Sequence, residues 1–118
     1  MGRGATVTSV FVPLKIVSVA NLREHWGQKA ARAKLHRSHT ALALRASTAL
    51  CVPLPGVVRL VRIAPRKLDD DNLSSALKAC RDGVADWLGI NDNDPRVSWE
   101  YGQERGKPGE HGLRIELA

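Results

Sequence analysis

Residues 57–89 read VVRLVRIAPRKLDDDNLSSALKACRDGVADWLG, and this stretch decides the fold. Val57 to Ala64 is β-branched and apolar on both sides of a two-residue period, which suits a strand well inside a sheet. Pro65 ends it, because proline cannot donate to a ladder. From about Asn72 the spacing becomes helical: Leu73, Leu77, Cys80, Val84, Trp87 and Leu88 form an apolar stripe, with Asp71 as the expected N-cap and Gly89 as the closing residue. Gly83 costs that helix roughly 1 kcal/mol relative to alanine, so it is expected where another backbone packs close.

Working outward, residues 6–19 are rich in Val, Ile and Phe and broken by Pro13, which predicts one or two strands. A polar turn at residues 21–27 follows. Residues 28–50 hold no Gly or Pro and much Ala and Leu, which predicts a long helix. Its apolar face is expected at Leu35, Leu42 and Ala49 or Leu50, and its opposite face at Lys29, Arg32, His36 and His39. Pro53-Leu54-Pro55-Gly56 then makes a turn. Downstream, residues 96–102 place Val97, Trp99 and Tyr101 on one face by alternation, and Leu113, Ile115 and Leu117 repeat the pattern after a polar loop at residues 103–112. The order is β-α-β-α-β-β: an α/β (mixed α+β) chain with a mixed sheet and about two main helices. Its 118 residues predict a single domain, 1–118, around one core.

The net charge of +6 conceals an asymmetry: residues 1–68 carry 12 Lys/Arg against the single acid Glu24, while residues 69–118 carry 6 basic and 11 acidic residues. A basic region of that size attracts polyanions, nucleic acid first among them. Cys51 and Cys80 form no C-x-x-C pair, which supports neither a disulfide framework nor a cysteine zinc site and fits a reducing, cytoplasmic setting. Residues 7–22 are interrupted by Pro13, Lys15 and Asn21, so no membrane span is expected. His25, His36, His39 and His111 lack zinc-site spacing and are expected at the surface, His36 and His39 extending the basic face. Trp87, Trp99 and Tyr101 are expected in the core. Trp26, in the polar turn, either stacks on a base or fills the core.

The acidic residues carry the chemistry. Asp69 and Asp71 alternate in what is expected to be the extended end of a strand, which aims both carboxylates to one side. The following helix is expected to return the chain to Asn91-Asp92-Asn93-Asp94, so that carboxylates converge into an all-oxygen site for Mg²⁺, with Mn²⁺ as substitute. Such an ion polarises a phosphodiester and generates hydroxide, and Lys78 is the cation expected to offset the developing charge. The competing reading is structural: Asp71 as a cap worth about 1 kcal/mol, Asp69 and Asp70 favouring the helix dipole, Asp92 and Asp94 shaping a turn. An EF-hand counted from Asp69 puts Ser74 where glycine is needed and Cys80 where glutamate is needed, which excludes it.

The run Lys67-Leu68-Asp69-Asp70-Asp71-Asn72-Leu73, a helix with Lys78 and Asp82, and then Gly89-Ile90-Asn91-Asp92-Asn93-Asp94-Pro95-Arg96-Val97 resembles the D-x-D-N, helix, D-D core of the RusA-type endonucleases. These are small, dimeric, magnesium-dependent Holliday-junction resolvases, commonly of prophage origin. The resemblance spans about residues 66–97. It implies metal ligands at Asp69, Asp71 and Asp94, with Asp92 as the alternate, and an asparagine at Asn72. The family places a lysine one turn after its second aspartate. This chain has Ser75 there and Lys78 three residues later, nearly one turn on and on the same face. The implied activity is hydrolysis of branched DNA in recombination or repair, leaving 5′-phosphate and 3′-hydroxyl ends, by a homodimer acting on four-way junctions. Arg23, Lys29, Arg32, Arg37, Arg66 and Lys67 are the residues expected to position the DNA backbone. The alternative function is a non-catalytic basic nucleic-acid-binding protein of phage or bacterial origin, and a third is an RNA-binding structural protein.

Overall fold

In the computed structural model, residues 8–17, 26–47 and 54–118 are described. The elements are β1 (Thr8–Val12), α1 (Trp26–Ser47), β2 (Val57–Ala64), α2 (Asp70–Leu88), β3 (Ser98–Arg105) and β4 (Gly112–Leu117). This is the expected order, and the four strands form one mixed sheet arranged β1-β4-β2-β3. β2 lies inside the sheet, parallel to β3 and antiparallel to β4, and β4 also pairs antiparallel with β1. Although β3 and β4 follow one another in sequence, they do not pair, because β2 lies between them.

Both helices cover the same face of the sheet. Val58 and Leu60 of β2, Leu113, Ile115 and Leu117 of β4, and Val10 and Val12 of β1 point into a core closed by Leu73, Leu77, Cys80, Val84 and Trp87 of α2 and Leu44 of α1. The alternation read from residues 97–101 and 113–117 is observed: Val97 is buried, and Trp99 and Tyr101 pack half-buried against the core. On the other face, the Phe11 ring stands where a side chain at Gly112 would be, and the Arg59 guanidinium covers Gly102 in the same way. The ladder Glu104, Arg114, Glu116 and Arg59 completes that face with ion pairs. Among the described residues, no helix is long and apolar enough to cross a membrane.

The long helix α1 forms where expected but in a different rotational phase. Leu35 and Leu42 are 50% and 57% exposed, while His36, Thr40 and Leu44 are buried. The helix carries leucines on both sides, and its phase is set by a close crossing with α2. A Cβ at Gly83 would stand 2.5 Å from the Arg37 carbonyl oxygen and 2.9 Å from the Thr40 Cβ. Only a small, self-satisfied side chain suits that crossing: the Thr40 hydroxyl donates to the His36 carbonyl oxygen at 2.7 Å. His36 is therefore buried at the helix interface rather than at the surface. Gly83 meets a backbone, as its cost in a helix interior implies, and Gly89 closes α2 with φ of 72°, its N–H donating back to the last turn.

Candidate functional site

The chain between β2 and α2 is held by two side chains that sequence reading did not single out. Arg62, buried on the helix side of β2, donates to the carbonyl oxygens of Ile16 at 2.7 Å and Arg66 at 2.6 Å. Gln103 of β3 clamps the Leu68 backbone with its amide, accepting from the N–H and donating to the carbonyl, both at 2.8 Å. Arg62 was legible only as an arginine breaking an apolar strand, and Gln103 as a polar residue past the expected end of β3, which runs to Arg105.

These clamps deliver the acidic run to the head of α2. The helix begins at Asp70, two residues before Asn72, so the N-cap is Asp69 and not Asp71. The physical reason is that the clamped Leu68 fixes the entry, and the Asp69 carbonyl already accepts the first helical bond, from the Leu73 N–H at 2.7 Å. Asp71 is therefore helical, and strand alternation does not align it with Asp69. The Asp69 side chain makes no capping bond. Asp69, Asp70 and Asp71 are all exposed. Beside them, at the carboxyl ends of the parallel pair β2 and β3, lies a groove of about 360 Å³ lined by Arg66, Lys67, Gln103, Glu104 and Arg105. A second hollow of about 400 Å³ runs from Lys67 to Asp69 and Asp70. The end of a parallel sheet where strands hand over to helices is a common ligand position in α/β folds.

The second acidic segment lies elsewhere. β3 runs parallel to β2, with Val57 opposite Ser98 and Ala64 opposite Arg105, so the entrance to β3 and the exit of β2 are at opposite ends of the sheet. α2 carries the chain down the length of the sheet rather than returning it to Asp69, which corrects the expected convergence. The carboxylates near β3 are also engaged locally. Asp94 accepts from the Arg96 guanidinium, with Nη2 at 2.6 Å, and from the Arg96 backbone N–H at 3.0 Å. These bonds hold its carboxyl down to about 2. Asp92 accepts from Lys78 Nζ at 2.9 Å and lies 3.3 Å from Arg81 Nε. Lys78, followed by the Arg81 charge, holds the Asp92 carboxyl below the usual aspartate range. Among the described residues, no three His, Cys, Asp or Glu side chains stand close enough to hold a metal ion. Asp69, Asp71 and Asp94 are therefore not gathered around one point in this arrangement. Asp69 and Asp71 remain at the head of α2.

Lys78 and Asp92 do meet, the lysine reaching from α2 to the loop that follows it. Lys78 Nζ also donates to Asp82 Oδ1 at 2.7 Å, and the two carboxylates raise the lysine above its ordinary value. Arg81 organises the segment around them. Its guanidinium donates to the Asp92 carbonyl oxygen at 2.8 Å and the Tyr101 hydroxyl at 3.0 Å, and stacks 4.8 Å from the Trp99 ring centre. Trp99 Nε1 donates to the same carbonyl oxygen at 3.0 Å.

The residues expected to position DNA divide into three groups. Arg66 and Lys67 line the groove beside the acidic run. Lys29 and Arg32 line a separate hollow between the helices, together with Lys78. Arg37 makes a bidentate pair with Asp86 of α2, at 2.6 and 2.7 Å, and so joins the two helices. Arg23, His25 and Cys51 lie outside the described residues, as does the side chain of Trp26. No family model matches the chain, and no curated protein matches it.

Proposed function

We propose that this protein is a metal-dependent, structure-selective DNA endonuclease resembling the RusA type, acting on branched DNA as a homodimer. The single observation that carries the reading is the pairing, at the exit of β2, of exposed acids with a cationic groove: Asp69, Asp70 and Asp71 on one side, Arg66, Lys67 and Arg105 on the other. A capping role for Asp69 would leave a bond to the first-turn amides, and its side chain makes none. Mg²⁺ is commonly held by only one or two carboxylates, with substrate phosphate oxygens and waters completing its shell. Asp69 and Asp71 are the residues offered to it at this end of the molecule. Two cuts related by symmetry on a four-way junction call for a two-fold dimer.

A second reading is favoured by the engagement of Asp92 and Asp94 with Lys78 and Arg96: a backbone-binding protein that does not hydrolyse DNA. Incubation with an end-labelled four-way junction in Mg²⁺ separates the two. The endonuclease yields 5′-phosphate products from wild type and none from Asp71→Asn. A junction that is retarded yet uncut, to the same extent by both proteins, assigns the binder. Folded RNA that outcompetes the junction assigns the chain to RNA instead.

A further inference from the structure

The groove at the exit of β2 is framed at both ends. The Gly106 N–H donates to the Ala64 carbonyl oxygen at 2.9 Å, and the Gln103 amide grips the Leu68 backbone with bonds of 2.8 Å. Between these ties lies a slot of about 360 Å³, with residues 65–67 as one wall and the end of β3 as the other. Arg66 and Lys67 stand on the first wall, and Arg105, directly across the parallel pair from Ala64, on the second. Ala64 and Pro65 give the slot an apolar side. Glu104 is the carboxylate of the lining, and it is already ion-paired with Arg114 of β4. Arg59, Arg62 and Arg114 of the same sheet are all engaged by carboxylates or carbonyl oxygens. Arg66, Lys67 and Arg105 are exposed, and their side chains have no hydrogen-bond or ion-pair partner among the described residues.

We infer that the slot seats one unpaired nucleotide of a DNA strand, with its phosphate held between Arg66 and Arg105 and its sugar and base against Ala64 and Pro65. This rests on the nucleic-acid reading and adds its substrate class: a branch that offers an unpaired nucleotide beside the acids. Size decides between one strand and two. The volume is at the small end of the ~300–1,000 Å³ of clefts that enclose a single small ligand. The chain from Ala64 to Leu68 spans at most about 14 Å, at ~3.3–3.6 Å per residue. Both of its ends are tied, so a base pair with its two backbones does not enter. Cations that hold phosphate do so without reading sequence. The apolar side takes a base face out of water, a face that a duplex keeps stacked. Lys67 lines both this slot and the hollow that runs to Asp69 and Asp70. A strand held in the slot therefore continues past Lys67 toward the acids, which makes Arg66 and Arg105 positioning residues.

The test is fluorescence anisotropy with a labelled single-stranded oligonucleotide and with the blunt duplex of the same sequence, in EDTA so that nothing is cut, over a series of salt concentrations. Wild type is expected to bind the single strand at least fivefold more tightly than the duplex. Arg105→Gln is expected to weaken single-strand binding about fivefold and to flatten the slope of log K against log salt by about 0.7, the share of one phosphate contact. Arg66→Gln does the same, and Arg105→Lys, which keeps the charge, restores the slope. Both arginines are exposed, so thermal midpoints are expected to stay at the wild-type value. Equal affinity for strand and duplex, or a slope unchanged in both glutamine variants, overturns the slot, while junction cleavage by the same wild-type preparation leaves the endonuclease reading standing. Arginine-dependent single-strand binding by a preparation that leaves the junction uncut in Mg²⁺ keeps the slot and overturns the endonuclease.

Discussion

Gly83 of α2 and Arg37 of α1 touch through their backbones: a Cβ on the glycine would stand 2.5 Å from the arginine carbonyl oxygen. Alanine is preferred over glycine in a helix by roughly 1 kcal/mol. Here the added methyl meets a carbonyl that belongs to a neighbouring helix, and overpacking costs about 1–3 kcal/mol or more. Gly83→Ala is expected to destabilise the protein by about 2 kcal/mol, read as a lowered urea midpoint with an unchanged slope.

Arg62→Leu is expected to cost about 2–3 kcal/mol, because a buried donor is removed from two carbonyl oxygens, those of Ile16 and Arg66. Arg62→Lys recovers only part of it, since a single ammonium lacks the planar fork that reaches both. Urea unfolding of the three proteins gives the ranking directly, and a lysine variant as stable as wild type would refute the two-carbonyl account.

The Gln103 amide holds the Leu68 backbone immediately before the acidic run. Gln103→Leu breaks both bonds at a half-exposed position and is expected to lower stability by about 1 kcal/mol. Its larger expected effect is on placement of Asp69 and Asp71: junction cleavage falls at least tenfold while gel-shift affinity changes less than threefold. Equal losses in cleavage and affinity would show that the clamp does not position the acids.

The pairing of Arg37 with Asp86 is half exposed on both sides, so screening limits its worth to below about 1 kcal/mol despite two bonds. Asp86→Asn is expected to shift the thermal midpoint by no more than a few degrees, and the shift shrinks further in 1 M salt.

Acid is expected to weaken the fold in two stages. The His36 pKa is lowered from 6.5 in the folded protein, chiefly by burial. As pH falls below 6.5, the unfolded chain takes up a proton that the folded chain resists, so stability declines toward the lowered folded value. The carboxyls of Asp86 and Asp92 are lowered from 3.8 by their cationic partners, and their contribution is lost only below about that pH. Urea midpoints at pH 7.5 and 5.5 should differ in wild type and differ less in His36→Gln.

The sequence carried the element order because each element has one dominant period. Val57 to Ala64 is apolar on both sides and lies inside the sheet; Leu113, Ile115 and Leu117 alternate and point inward. The phase of α1 was not legible, since Leu35 and Leu42 compete with Leu44 and the close crossing with α2 at Gly83 decides between them. At the candidate site the run Asp69-Asp70-Asp71 and its basic neighbours Arg66 and Lys67 were visible as local sequence. The direction in which α2 carries the chain was not, because a parallel or antiparallel partner for β2 is a choice made by the whole sheet. That choice puts the entrance to β3, and Asp94 with it, at the end of the sheet away from the exit of β2.

The contact at Gly83 has mechanical meaning. Backbone resting on backbone cannot be compressed as side chains can, so α1 and α2 behave as the arms of a caliper locked at one screw. Any movement of one helix against the other is then a pivot about that point rather than a slide along it.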